Sequence, residues 1–226
     1  MSRLIALVPA AGSGSRIGTA VPKQYLPLAG RPLLAHTLAA LLVHPAIDAV
    51  AVVISPEDEW FDSYEWPQEL AVLRCGGASR AESVANGLVQ LALDDDDWVL
   101  VHDAARVGIS QAALTRLIAT LASDPVGGLL ALPVPDTVKR GDSENRVADT
   151  LPRADLWLAQ TPQMFRAGLL KQALAAAPLA EITDEASAIE RLGFSPRLVE
   201  GEAGNFKVTY PQDLTLAEAL LSARAG

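Results

Sequence analysis

A Rossmann-like α/β fold, with a mostly parallel sheet and helices on both of its faces, is the class this sequence predicts. Three observations predict it. Short aliphatic or β-branched runs alternate with stretches of helical spacing, in the order β-α-β-α. The first run empties into a glycine-rich turn. With 226 residues, 50% of them apolar, the chain can bury a full core as one domain over 1–226.

Taken in order, the strands expected are 4–8, 49–54, 70–73, 98–102 and 128–132, each an aliphatic run between polar or turn-forming residues. Between them, 36–43, 83–93 and 112–121 carry apolar residues at helical spacing. Such an order favours a parallel sheet covered on both faces, with function at the carboxyl ends of the strands. His36 falls within an apolar helix and reads as structural; Trp60, Phe61, Tyr64 and Trp66 read as local packing. The four consecutive carboxylates 94–97 repel one another, which predicts a solvated turn. The segment 133–156 breaks the rhythm, because Pro133, Pro135, Gly141 and Pro152 interrupt a polar stretch too long to be a simple connection. Polar and apolar residues alternate around 137–139 and 146–148, so a protruding β-arm is expected at about 134–156. An arm unable to bury itself on its own domain invites a partner subunit. Beyond it, 182–192 reads as a helix capped by Thr183 and Asp184 and stopped at Gly193, and Pro211 opens a terminal helix.

Charge and composition narrow the function. A formal net charge of -9 argues against a general binder of nucleic acid or anionic membrane, so any phosphate site must be a local concentration of cations. Cys75 is the single cysteine, and no Cys/His cluster has zinc spacing, which suggests a reducing compartment. The run 4–8 is short for a signal-peptide core and leads straight into glycines and Arg16. No apolar run approaches the roughly 20 residues a membrane-spanning helix needs, so a soluble, cytoplasmic protein is expected.

The turn after the first strand, Pro9-Ala-Ala-Gly12-Ser-Gly14-Ser-Arg16-Ile-Gly18, has residues small enough for backbone N–H groups to approach a phosphate. Its spacing departs from the dinucleotide fingerprint, which would place a glycine where Ile17 stands, and no Gly-Lys-Ser/Thr closes a P-loop. A dinucleotide-binding regulatory or oxidoreductase domain stays open as a reading from another class. Arg16 and Lys23 flank the turn, and Pro22 and Pro27 stiffen the loop that carries Lys23-Gln24-Tyr25. Two such cations can converge on one polyphosphate, although each taken alone reads first as a solvated surface residue. Gly-x-Ser-x-Gly is absent, and His36, His44 and His102 suggest no serine-hydrolase triad.

The ordered set of motifs carries a resemblance. Ala10-Ala-Gly-Ser-Gly-Ser-Arg16, Pro22-Lys23-Gln24-Tyr25, Gly76-Gly-Ala-Ser-Arg80-Ala-Glu-Ser83-Val, His102-Asp103-Ala-Ala-Arg106, Asp136-Thr137-Val-Lys139, Thr183-Asp184-Glu185-Ala and Lys207-Val-Thr resemble the blocks of the 2-C-methyl-D-erythritol 4-phosphate cytidylyltransferase family. The likeness covers nearly the whole chain and implies transfer of CMP from CTP to methylerythritol phosphate, with pyrophosphate released, in the non-mevalonate isoprenoid route. It implies that Arg16 and Lys23 stabilise the transition state. It also implies that Ala10, Ala11, Gly12, Gly77, Arg80, Ser83 and Asp103 bind the nucleotide, Asp103 through Mg²⁺. Thr137, Arg153 and Lys207 would hold the acceptor, in a homodimer whose arms reach the neighbouring site. Ribitol 5-phosphate or another polyol phosphate is the alternative acceptor. Two departures from the family pattern stand out: Val107-Gly108 follows Arg106 where proline is usual, and Gly204-Asn205 replaces Asp-Asn before Lys207.

Overall fold

A computed structural model describes residues 2–12, 21–176 and 178–225. In chain order these form β1 (Leu4–Pro9), β2 (Pro27–Leu28), β3 (Arg31–Pro32), α1 (Leu33–Leu42), β4 (Ala49–Val53), β5 (Leu70–Leu73), α2 (Arg80–Gln90), β6 (Trp98–Val101) and α3 (Gln111–Leu121). There follow β7 (Gly127–Pro133), β8 (Val138–Gly141), β9 (Val147–Leu151), β10 (Trp157–Arg166), α4 (Ala167–Ala175), α5 (Glu185–Arg191), β11 (Arg197–Glu200) and α6 (Pro211–Ala225).

The central sheet has seven strands in the order β11-β7-β10-β6-β1-β4-β5. β1 pairs in parallel with β4 and β6, β4 with β5, and β7 with β11, whereas β10 runs antiparallel to both β6 and β7. Side chains of a strand alternate between faces, and β1 shows where each set goes. Leu4, Ala6 and Val8 pack into a core with Leu34, Leu38 and Leu41 of α1 and Leu114, Leu117 and Leu121 of α3. Ile5 and Leu7 point the other way, into a core with Val84 and Leu88 of α2, Leu170 and Leu174 of α4, and Ile189 of α5. With both faces covered, a strand such as β6 is buried at every position. A fully buried Leu100 contributes about 1.5–3 kcal/mol relative to its exposure.

The expected strands and helices on this sheet are all present, and the acidic turn is exposed at Asp94, Asp95 and Asp96, with a correction at Asp97 alone. Asp97 is buried, accepting hydrogen bonds from the backbone N–H of Arg3 at 2.8 Å and from its guanidinium at 2.6 and 3.1 Å. These bonds hold its carboxyl below the usual range. One member of the repelling run is therefore turned inward onto a cation, and Asp94 N–H also donates to it. β10 and α4 lie where the sequence suggested no element. Pro162 argues against a central strand, and it is accommodated where the β10–β7 register shifts between Ala159 and Gln163. The arm is the hairpin β8–β9, with residues exposed along almost its whole length. Asp184 caps α5 in a reciprocal pair with Ser187, and the aromatic group packs locally, Tyr25 stacked on Tyr64 and Phe61 on Trp66.

A third, smaller core holds α6 against the turn after β6. Val107 is buried with Leu28, Leu33, Ala105, Val208 and Ala217. The two departures in the sequence meet here: a Cβ at Gly108 would overlap the carbonyl oxygen of Gly204 and the Leu220 side chain. Glycine at 108 is thus needed for close approach. Gly108→Ala should lower stability by about 1–3 kcal/mol through overpacking, read as a fall in the urea midpoint; an unchanged midpoint would show that the 108–204 contact yields without cost.

The three histidines predict an acid weakness. His102 is fully buried, and burial pushes its imidazole from 6.5 down to about 4. Burial lowers His36 and His44 in the same direction. The unfolded chain takes up these protons below about pH 6.5 while the folded chain does not, so stability rises with pH across the window from about 4 to 6.5 and is lost on acidification through it. His102 alone should account for about 3 kcal/mol between those limits. Urea unfolding at pH 7 and pH 5 checks this, and equal midpoints would contradict it.

Candidate active site

Strand order reverses between β1 and β6, and in open α/β sheets ligands bind outside the carboxyl ends of the strands at such a reversal. A cavity of about 510 Å³ lies there. Its wall includes Ala10, Ala11 and Gly12 from the end of β1, Lys23 and Gln24, Gly77, Arg80 and Ser83, Asp103 from the end of β6, and Lys207. Nine residues that the motifs singled out, drawn from five separate stretches of chain, therefore share one concavity.

Each stretch is tied down by its own backbone. Ala10 N–H donates to Val53 O at 2.7 Å, and Gly76 N–H to Ile54 O at 2.8 Å, which lays the 76–78 loop against the β1 turn. A Cβ on Gly76 would overlap Ala11, so only glycine permits that approach. Ser79 caps α2 by accepting from Glu82 N–H. Ser83 Oγ donates to Ser79 O at 2.9 Å and accepts from Gly77 N–H at 3.1 Å, shaping the loop from within. Gln24 donates to Ala10 O at 2.8 Å, and Tyr25 is anchored through Asp58 at 2.7 Å. Between these fixed points Lys23 reaches the cavity, its ammonium donating to Val208 O at 2.8 Å.

Asp103 is the electrostatic centre. Its Oδ1 accepts from Arg80 Nε at 2.7 Å, its Oδ2 lies 2.8 Å from Lys207 Nζ, and Arg106 Nε stands 3.7 Å away. Burial alone would raise this carboxyl, but Arg80 and Lys207 outweigh it and hold it well below the usual carboxylate range. The side chain is ionised throughout the physiological range. Its backbone is fixed by a relay: Asp103 N–H donates to Thr161 Oγ1 at 2.9 Å, and Thr161 is 3.0 Å from His102 Nδ1. His102 Nε2 is 3.1 Å from Arg106 O, an acceptor only, so that nitrogen carries the proton and the Thr161 hydroxyl donates to Nδ1. A neutral His102 agrees with the downward shift that burial imposes.

Arg80 is held from two sides. Besides Asp103 it donates to Glu185 Oε1 at 2.6 Å and Oε2 at 3.0 Å. Burial works to lower its basicity, and the two carboxylates outweigh that and raise it. The motif reading quoted Glu185 but assigned it no part, nor did it assign any to Thr161 or Gln24. The only sequence signal for Glu185 is its place in the Thr183-Asp184-Glu185 block.

Among the described residues no cluster of three His, Cys, Asp or Glu side chains could hold a metal ion. Asp103 can contribute one carboxylate, since each of its oxygens has a second acceptor position beyond the bond it already takes, and Mg²⁺ is commonly held by one or two carboxylates plus substrate phosphates.

Arg16 lies outside the described residues, as does the turn from Ser13 to Ala20. Thr137 and Arg153 are exposed, both at the base of the hairpin, and do not line the cavity. No helix among the described residues is long and apolar enough to cross a membrane.

Known proteins resemble this chain along nearly its whole length. A chain from Chromobacterium violaceum described as 2-C-methyl-D-erythritol 4-phosphate cytidylyltransferase is 66% identical over 222 residues, covering 98% of this chain and 99% of that one. A crystal structure of 4-diphosphocytidyl-2C-methyl-D-erythritol synthase superposes with a TM-score of 0.86 at 42% identity, over 98% of this chain and 99% of its own. That of the Francisella tularensis 2-C-methyl-D-erythritol 4-phosphate cytidylyltransferase does so with a TM-score of 0.84 at 36% identity, over 97% and 100%. The sequence profile of the family matches residues 4–223, and this chain, with its cavity at the β1–β6 reversal, belongs to the 2-C-methyl-D-erythritol 4-phosphate cytidylyltransferase family.

Proposed function

We propose that the protein transfers CMP from CTP to the phosphate of 2-C-methyl-D-erythritol 4-phosphate, forming 4-diphosphocytidyl-2-C-methyl-D-erythritol and pyrophosphate for isoprenoid precursor synthesis. The observation that carries the proposal is the gathering of Lys23 and Lys207 at one cavity, beside the Arg80–Asp103 pair, in a chain whose net charge is -9. Cations concentrated there against the global charge suit two phosphorylated substrates.

The acceptor phosphate is already an anion at neutral pH, so its oxygen needs no general base. That oxygen forms a bond to the α-phosphorus of CTP as the bond from this phosphorus to the bridging oxygen of the β-phosphate breaks, and the electron pair leaves with pyrophosphate. What remains for the protein is positioning and charge. Ala10, Ala11, Gly12, Gly77 and Ser83 form the small-residue wall on which a pyrimidine nucleotide lies. Lys23 moves from Val208 O onto the reacting phosphates, with Arg16 as the second cation. Lys207 exchanges Asp103 for the acceptor phosphate. Mg²⁺, held by Asp103 and the triphosphate, would neutralise charge on the phosphates.

Pyrophosphate release should be seen with CTP and methylerythritol phosphate, and not with ATP, GTP or UTP. Turnover with ribitol 5-phosphate in place of methylerythritol phosphate would keep the chemistry and overturn the acceptor. Lys23→Met should lower kcat by about 10²–10³-fold, the usual effect of removing a positioned transition-state charge; a near-normal kcat would take Lys23 out of the mechanism.

The arm supports a shared site. Thr137 and Arg153 are exposed at the base of its hairpin and stay out of the cavity wall of their own chain, and Val147 is largely exposed, as in a segment made for a second subunit. A homodimer whose arms bring Thr137 and Arg153 to the neighbouring acceptor site follows. Sedimentation at assay concentration should show a dimer, and Arg153→Ala should raise KM for the acceptor more than KM for CTP. A monomer with full activity would refute the shared site.

A further inference from the structure

Glu185 sits at a junction that the transfer chemistry does not itself account for. Its side chain is 1% exposed, and a carboxylate so buried must be paired. Its partner is the guanidinium of Arg80, gripped by both carboxylate oxygens. The remaining guanidinium donor used in the site, Nε, goes to Asp103 Oδ1. Three elements distant in sequence thus meet in one chain of contacts: the first residue of α5, the first residue of α2, and the turn after β6.

The α5 end of this chain is itself fixed. Gln163, buried in β10, donates to Asp184 Oδ2 at 2.9 Å and accepts from Ala186 N–H at 2.8 Å, so it binds the residues on either side of Glu185. The Asp184–Ser187 capping pair closes the same turn. Glu185 is in consequence presented from a rigid point, and a bidentate carboxylate fixes the plane of a guanidinium as well as its position. Arg80 then has two carboxylates against its single charge, which turns it from a mobile phosphate binder into a bracket behind Asp103.

The geometry points to Glu185 as a positioning residue that acts through Arg80 to aim Asp103 into the cavity. Held this way, Oδ1 of Asp103 is committed to Arg80 while Oδ2 faces Lys207 and the substrates. The inference rests on the cytidylyltransferase reading above and adds to it the residue that keeps Arg80 off the phosphates. Freed from Glu185, the guanidinium would be available to clamp CTP in its ground state and would let Asp103 turn.

Two variants test it, each assayed well below its own melting temperature. Glu185→Gln removes the charge, and Glu185→Asp keeps the charge but shortens the reach to Arg80. Both should lower kcat by about 10–100-fold, as loss of an outer-layer partner commonly does, with KM for CTP unchanged or lower. In an Arg80→Met background, Glu185→Gln should cost less than about 2-fold further activity, because residues acting through one another are non-additive. It should also raise Tm relative to Arg80→Met alone, since it removes an unpaired buried carboxylate. A wild-type kcat in Glu185→Gln and Glu185→Asp, or full additivity with Arg80→Met, would overturn the positioning role and leave the activity intact. A wild-type protein that releases no pyrophosphate from CTP and methylerythritol phosphate would overturn both.

Discussion

The contact on which the site depends is the salt bridge between Arg80 and Asp103, 2.7 Å long and partly withdrawn from water. It joins the start of α2 to the end of β6 across the point where strand order reverses. A buried pair of this kind adds little net stability, because desolvation offsets most of the attraction. Its value is in geometry. Breaking one partner would leave an uncompensated charge, so the arrangement tolerates few alternatives, and that intolerance holds the cavity wall in place before any substrate arrives. Around it stand Arg106 and Lys207 on one side and Glu185 on the other. Three cations face two carboxylates, and the surplus is positive where phosphates would enter.

The surplus cations are held on the chain's own atoms. Lys207 rests on Asp103, and Lys23 rests on the carbonyl of Val208, the next residue along from Lys207. One short segment therefore touches both lysines. A carbonyl is a weaker partner than a phosphate for an ammonium group. Asp103 is a stronger holder, since charge-assisted contacts are the strong ones, and Lys207 leaves it only for another anion. A single buried carboxylate therefore keeps the Lys207 ammonium at the cavity.

How much of this was legible in the sequence divides by distance. β1, β4, β5, β6 and β7 were readable because each is an uninterrupted apolar run, and the pattern is local. β10 was not, since Gln160, Thr161, Pro162 and Gln163 break the run; yet that irregularity is what turns Thr161 toward His102 and Gln163 toward α5. β11 has only two apolar residues, Leu198 and Val199, between Arg197 and Glu200, so no apolar run marks it. Among site residues, Asp103 and Lys23 could be suspected from their place after strand and turn. Glu185 could not, because its partner lies 105 positions away and nothing in local spacing marks a carboxylate for an arginine at that separation. The burial of Asp97 escaped for the same reason, with Arg3 94 positions away. Thr137 and Arg153 are a different case, since only resemblance to the family links them to a cavity they do not line within their own chain.

The departures at 107–108 and at 204 are one structural change. Taken singly, Val107-Gly108 after Arg106 leaves the geometry of the turn beside Asp103 in question. The structure shows why it holds: Val107 is buried against Val208 and Ala217, and Gly108 opposes Gly204 without a side chain on either. Arg224 closes the contact from α6 by donating to Gly108 O at 3.0 Å. A larger residue at 108 would press on the 203–206 turn, and that turn carries Asn205, whose carbonyl receives Arg106 at 2.8 Å and whose amide donates to Thr161 O at 2.7 Å. Glycine at 108 therefore keeps that turn in place, and with it the Asn205 carbonyl that holds Arg106 beside Asp103.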